Sequence, residues 1–252
     1  MCRSSLGGAY DIDPYAVKAY NAIHGTNYEP SDITKLKASD LNITDTEHYT
    51  YLLTYSFPCQ DLSLAGEMKG MKKGSGTRSG LLWEVERLLN ECVELPQILV
   101  MENVKQVISN KNKPDFDAWR ESLRQLGYES QYQVLNAKDY GVAQNRERCF
   151  MVSWLRSEFG NVTYTFPEPI PLKKRLRDYL EDEVDEKYYL AEEQIATFVA
   201  RTEANKAKGN GFSFDPIPIE PDTHTASTIC TRYRGLDDNY ISYGDDYKRI
   251  DR

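Results

Sequence analysis

Short apolar runs separated by helical patterns constrain this chain most. Residues 51–55 (Tyr-Leu-Leu-Thr-Tyr), 97–101 (Gln-Ile-Leu-Val-Met), 128–135 and 149–152 (Cys-Phe-Met-Val) have the aliphatic and aromatic make-up of buried strands. Between them lie helical stripes. Leu81, Leu82, Val85, Leu88, Leu89 and Cys92 share one face of a helix over residues 78–92, which assigns Cys92 to the core. Phe116, Trp119, Leu123 and Leu126 share one face of a second helix, which Gly127 ends. Strands alternating with helices predict a mainly parallel sheet with crossover helices. An earlier segment fits the same scheme. Gly7 to Asp13 reads as a short strand ending in acids, and Pro14 opens a helix with Ala16, Val17, Tyr20 and Ile23 on its apolar side. Residues 39–50 are polar and read as a loop.

In sheets of this kind ligands collect at the carboxyl ends of the strands. The strand at residues 51–55 runs into Ser56-Phe57-Pro58-Cys59-Gln60, so one cysteine stands at such an end. A lone cysteine after a strand is ordinarily a small buried hydrophobe. The next residues argue for more: Gly66, Gly70, Gly74 and Gly76 are interleaved with Lys69, Lys72, Lys73 and Arg78, a locally basic loop suited to a polyanion. The second strand ends in Glu102-Asn103-Val104, and Gln144-Asn145-Arg146-Glu147-Arg148 precedes the run at 149–152.

Pro-Cys-Gln, Glu-Asn-Val and Gln-x-Arg-x-Arg, in this order, resemble the cytosine-C5 DNA methyltransferase family, which uses S-adenosylmethionine. The resemblance is strongest over residues 6–154. It implies a Rossmann-like methyltransferase fold with a mainly parallel sheet, residues 1–160 forming the catalytic domain. Residues 161–252 would hold a linker at residues 166–171, a helix over residues 191–206 and a smaller, irregular target-recognition region, in which residues 228–233 (Thr-Ile-Cys-Thr-Arg-Tyr) resemble sequences of the family. The reaction implied is methyl transfer to C5 of a cytosine flipped out of double-stranded DNA.

The residue types suit that chemistry. Cytosine C5 is a poor nucleophile, and a thiolate adding at C6 activates it, which is the role implied for Cys59. Glu102 would meet N3 and the exocyclic amine, and Arg148 the ring O2. Gln60, Ser63, Asn103, Gln144 and Arg146 fall on the substrate side, with Asn103 and Arg146 holding the loop and Glu102 in place. Asp11-Ile12-Asp13-Pro14 resembles the family's second cofactor motif. Asp11 would bind the ribose, Ile12 stack on adenine, and Asp32 meet the adenine amino group, with Ile33 and Pro58 beside the cofactor. Ser31 stands where that motif usually has glycine. The family's first glycine-rich turn and its closing motifs have no counterpart in residues 1–252. The cytosine pocket therefore reads as complete and the cofactor pocket as half built. Weak activity alone, or a complementing chain, is expected.

Composition excludes other classes. The net charge of -8 argues against a general nucleic-acid coat, though a local basic field at a cleft is compatible with it. Five cysteines without Cys-x-x-Cys spacing argue against a disulfide framework or zinc site and fit a reducing cytoplasm. The sequence holds no membrane-length apolar run and no signal core at residues 1–5, so neither a membrane nor a metal is expected. His24, His48 and His224 are scattered and suit surface or structural roles. An amino-methyltransferase would need an Asp/Asn-Pro-Pro-aromatic motif, and Asp13-Pro14-Tyr15 has one proline. A cysteine hydrolase would need a base such as His224 near Cys59. The remaining rival is a split or degenerate methyltransferase that binds DNA or a partner without activity of its own.

Overall fold

The computed structural model describes residues 5–59, 61–62, 70–181, 183, 185–209, 211, 213–218, 225–228, 239–243 and 246–249. By compactness the chain divides into two units, residues 1–134 with 148–166, and residues 135–147 with 167–252.

The first unit is built on a four-stranded sheet in the order β1-β2-β5-β3. Its strands are β1 (Leu52–Tyr55), β2 (Ile98–Val104), β3 (Tyr128–Asn136) and β5 (Glu147–Leu155). The two-residue β4 (Gln144–Asn145) lies in the second unit. β1 and β2 are parallel, with Leu52 opposite Ile98 and Tyr55 opposite Met101. β5 runs antiparallel to β2, pairing Ile98 with Trp154 and Val104 with Arg148. Between β3 and β5, Arg156 N–H donates to Gly127 O and the Ser130 and Ser153 hydroxyls meet at 2.8 Å. Partners whose numbers rise on one strand and fall on the other mark an antiparallel pair. Three of the four strands therefore point the same way, and β5 is reversed between two of them.

Two amphipathic helices cover the sheet. α2 (Leu82–Glu91) buries Leu82, Val85, Leu88 and Leu89. α3 (Lys113–Gln125) begins with proline in its first turn and buries Phe116, Trp119 and Leu123. Of these, Leu82, Val85, Leu89, Phe116, Trp119 and Leu123 join Leu99, Met101, Cys149 and Met151 of the sheet in one core. Trp119 has no exposed surface and donates its indole N–H to the Tyr55 hydroxyl at 2.9 Å. Its ring also meets the Tyr55 and Trp83 rings edge-on, a geometry that adds to the area it buries. The short helix α4 (Arg156–Phe159) follows β5.

Three expectations change. Residues 7–13 form no strand and pair with none among the described residues; a strand persists only through its ladder. The segment's backbone bonds are from Ser31 N–H to Asp11 O, at 2.7 Å, and from Val17 N–H to Asp13 O, at 3.0 Å. α1 (Pro14–His24) forms as predicted, with Asp13 capping the Tyr15 N–H and Gly25 closing it at φ 65°. Yet Val17 alone of its stripe is buried, and Ile23 is 77% exposed. Cys92 is not a core position. It lies just past α2 as the capping residue, half-buried, its N–H turned back to Leu88 O.

The polar stretch at residues 44–51 is held by buried Gln97, which the sequence suggests only as the start of a strand. Gln97 donates to Thr46 O and Tyr49 O and accepts from Tyr51 N–H.

The second unit contains α5 (Glu192–Ala207), which matches the predicted helix within a residue at each end. Around it lie β6 (Ile217–Pro218), β7 (Ala226–Ser227), β8 (Tyr240–Tyr243) and β9 (Asp246–Arg249). β4 pairs with β7, and β8 lies between β6 and β9. Leu176, Ala226 and Ile241 form one small core. Phe198, Phe214 and Tyr240 stack in another cluster, where Thr202 accepts the Phe214 N–H. The stretch expected to be a linker is tied down: Ile170 N–H donates to Asp139 O at 2.8 Å and Tyr140 hydroxyl to Pro167 O at 2.9 Å.

Candidate active site

The turn after β1 carries Cys59, and three side chains and backbone groups fix its path. Phe57 O accepts the Asn103 side-chain amide at 2.9 Å. Pro58 O accepts the Ser79 hydroxyl. Cys59 O accepts Leu62 N–H at 3.0 Å. Parallel pairing explains the first bond. β1 ends beside β2, so Asn103 near the end of β2 reaches the chain as it leaves β1. Asn103 is 2% exposed and also caps the next amide, Val104 N–H.

Glu102, beside Asn103, meets Arg148 from the neighbouring strand: Arg148 Nε lies 2.9 Å from Glu102 Oε1. The reversed β5 makes this possible, because it brings the start of that strand alongside the end of β2. Arg148 is the less exposed partner, at 18% against 38% for Glu102. A planar cation and a carboxylate thus stand together at the strand ends that also carry the Cys59 turn.

Burial disfavours the thiolate at the other two described cysteines. Burial, with the Glu102 charge adding to it, pushes the fully buried Cys149 thiol up to about 12. Burial also raises Cys92, helped by Glu91. The thiolate is the reactive form. Iodoacetamide at pH 8 is therefore expected to alkylate Cys59 at least about tenfold faster than Cys92 or Cys149 in the native protein, read by peptide mass spectrometry over time. Equal rates for Cys59 and Cys149 would contradict this.

The Ser31–Asp11 backbone bond ties the segment carrying Asp11 to the one carrying Asp32. Asp11 is exposed and accepts the Asp13 N–H. Thr34 donates both hydroxyl and amide to Asp32, which holds that carboxyl below its usual range. Ile12 is 68% exposed, a bare apolar side chain beside two acids. Ile33 packs against the core and Pro58 is half-buried. Two carboxylates and an exposed aliphatic face suit a ribose and a flat purine, so these residues fit the adenosine half of S-adenosylmethionine.

Gln144 and Arg146 belong to the second unit. Gln144 lies in β4 opposite Ala226, while Arg146 N–H donates to Asn136 Oδ1 and Arg146 O accepts Ala137 N–H. Gln60, Ser63, Lys69, Cys230 and His224 lie outside the described residues, as do residues 229–233 of the suggested recognition sequence. Lys73, one of the basic residues of the loop, makes contacts within the fold. It pairs with Glu86 and lies over the Trp83 ring at 5.1 Å. Glu86 also accepts the Ser122 hydroxyl at 2.6 Å.

Sequence reasoning missed Asp61 and Ser79. Asp61 accepts Ser79 N–H at 3.0 Å, and Asp61 O accepts Gly70 N–H at 3.0 Å. No spacing signals a pair 18 residues apart; only the acid directly after Pro-Cys-Gln marks it.

A family model described as C-5 cytosine-specific DNA methylase matches residues 4–248. Among curated relatives, the orphan methyltransferase M.SssI of Spiroplasma monobiae is 40% identical over 235 residues, covering 88% of this chain and 58% of that protein. The type II methyltransferase M.NlaX of Neisseria lactamica is 34% identical over 223 residues, covering 88% of this chain and 66% of that protein. The chain thus spans about three-fifths of the length of these relatives. A crystal structure of S. pombe Dnmt2 methyltransferase superimposes with a TM-score of 0.64 at 22% identity, over 96% of this chain and 69% of that one. Spodoptera frugiperda DNMT2 gives a TM-score of 0.65 at 18% identity, over 94% and 67%. The fold is Rossmann-like, of the methyltransferase kind.

Proposed function

The chain belongs to the C-5 cytosine-specific DNA methylase family, and from that premise we propose that it serves methyl transfer from S-adenosylmethionine to C5 of a cytosine flipped out of double-stranded DNA, with Cys59 as covalent nucleophile. The observation that carries this reading is the Glu102–Arg148 pair beside the Asn103-held Cys59 turn.

Each residue has a task. Cys59 thiolate forms a bond to ring C6, and the C5–C6 electron pair shifts toward C5. Glu102 holds a proton at N3 as the ring becomes electron-rich, and Arg148 steadies O2 with a fixed positive fork. Asn103 keeps the Cys59 turn in place, and Gln60, Ser63, Gln144 and Arg146 are assigned to substrate binding. Asp11, Ile12, Asp32, Ile33 and Pro58 hold the cofactor. When bound, S-adenosylmethionine supplies the electrophilic methyl. After C5 has gained the methyl, its proton passes to solvent water, that C–H electron pair restores the C5–C6 double bond, and the C6–S bond breaks so that Cys59 leaves as thiolate. Flipping the base costs a few kcal/mol, offset by contacts to the extruded base and backbone. Residues 1–160 carry this chemistry and residues 161–252 target recognition. The free thiol suits a reducing cytoplasm. Among the described residues no helix is long and apolar enough to cross a membrane, and no group of three metal-ligating side chains occurs.

A second reading, a split enzyme that needs a complementing chain, is favoured by exposed apolar surface. Ile12, Tyr15 (80% exposed), Ile23 and Leu52 (59%) are uncovered around α1 and the outer edge of β1. On this reading residues 1–252 bind the cofactor at least ~10-fold more weakly than a full-length relative, about 1.4 kcal/mol. Calorimetric titration and a tritium-methyl transfer assay test both readings. Turnover that appears only when the relatives' further segments are added supports the split form. Full turnover by this chain alone overturns that form, and no transfer to cytosine by any form overturns the enzyme reading.

A further inference from the structure

We propose that Asp61 and Ser79 are positioning residues that set the Cys59 thiol for attack, an inference that rests on Cys59 being the nucleophile. Ser79 is fully buried and Asp61 is 8% exposed. Ser79 donates two bonds, its N–H to the Asp61 carboxylate at 3.0 Å and its hydroxyl to Pro58 O. It therefore grips the residue before Cys59 and the residue two after it. The grip on Asp61 is doubled, because Asp61 O also takes Gly70 N–H, while Thr77 hydroxyl donates to Gly70 O at 3.1 Å.

Ser79 has a firm base. It lies in the one-turn 3-10 helix Arg78–Leu81, capped by Thr77 and running directly into α2, whose apolar face is part of the core. The Cys59 turn is thus referenced to α2 through Ser79 and to β2 through Asn103. A displacement of about 1 Å in an attacking group can cost a hundredfold in rate. Two independent ties on the three-residue turn are what such a tolerance demands. The choice of a buried carboxylate is informative. Its charge lies two residues from a thiol that must itself become negative, so an electrostatic role would oppose reaction. Its use is as hydrogen-bond acceptor for a backbone amide, a strong form of that bond.

The side chains allow the tie to be cut and restored. Asp61→Leu removes the acceptor and keeps the branched shape, Asp61→Asn keeps an acceptor oxygen and removes the charge, and Ser79→Ala removes the hydroxyl bond alone. The probe is DNA synthesised with 5-fluorocytosine in place of cytosine, with S-adenosylmethionine, in whichever form of the protein, alone or complemented, gives an adduct in the wild type. Adduct formation is expected to slow about 100-fold in Asp61→Leu and about 10-fold in Ser79→Ala, with the DNA concentration for half-maximal rate changed by less than about threefold. Asp61→Asn should recover most of the loss. The double variant Asp61→Leu/Ser79→Ala should be no slower than about threefold below Asp61→Leu, because the two bonds hold the same short turn to the same residue. Thermal melting is followed alongside; if Asp61→Leu does not fold, the milder Ser79→Ala decides. Wild-type rates in the folded variants, or Asp61→Asn as slow as Asp61→Leu, overturn the positioning role. Absence of any Cys59 adduct in the wild type overturns instead the nucleophile reading on which it rests.

Discussion

Replacing Cys59 by Ala is expected to lower methyl transfer by at least about a thousandfold, the scale on which losing a covalent nucleophile registers, while leaving the fold intact. Cys59 is half-buried at the end of β1, and its side chain supports no core packing that the structure describes. The Asn103, Ser79 and Leu62 bonds to the turn all go to backbone carbonyls, which Ala retains. Stability should therefore change little. Cys92→Ala is the control. Cys92 caps the C-terminal end of α2 and is no part of the proposed site, and its loss should cost about 1 kcal/mol of packing with turnover unchanged. The two variants are compared by tritium-methyl transfer and by thermal melting. Loss of turnover in both, or in neither, would show that the thiol at residue 59 has no special role.

The largest structural effect is expected at Trp119. It is fully buried, donates to the Tyr55 hydroxyl and packs edge-on against Tyr55 and Trp83. Trp119→Ala opens a cavity between α3 and the sheet and leaves the Tyr55 hydroxyl, itself buried, without its donor. Burial already holds the Tyr55 phenol well above its ordinary pKa, so ionisation offers it no escape at neutral pH. A loss of about 3–5 kcal/mol follows, a large part of the total stability of a domain. Val93→Ala, at a fully exposed position, should stay within about 0.5 kcal/mol. Urea unfolding at constant slope measures both. A loss below about 1 kcal/mol for Trp119→Ala would mean that the core rearranges around the missing ring.

Much of this was legible in the residues. β1, β2, α2 and α3 follow from apolar runs and stripes, and the run at residues 149–152 marks β5. The direction of β5 was not legible, because a fully buried strand is apolar on both faces and carries no sign of which neighbour it opposes. That reversal matters for the site, since it pairs Val104 with Arg148 and lets Arg148 reach Glu102. The stripe on α1 identified an apolar face, and only Val17 of it is covered; periodicity describes a face and is silent on whether anything packs there. Hydrogen bonds between distant polar residues left no pattern either. Gln97, Asp61 and Ser79 hold loops through backbone groups, and backbone acceptors have no residue type to read. Lys73 is similar: its partner Glu86, thirteen residues away, is not marked by the basic loop around it.

The central claim is that Cys59 bonds covalently to cytosine, and one measurement tests it most directly. The protein, with the relatives' further segments supplied if turnover requires them, is incubated with S-adenosylmethionine and DNA containing 5-fluorocytosine, then denatured, digested and mapped by mass spectrometry. The fluorine blocks loss of the C5 substituent, so the covalent species accumulates. The account predicts a modified nucleotide on the peptide bearing Cys59 and none on those bearing Cys92 or Cys149. Methyl transfer to ordinary DNA with no such adduct, or an adduct on another cysteine, would contradict it.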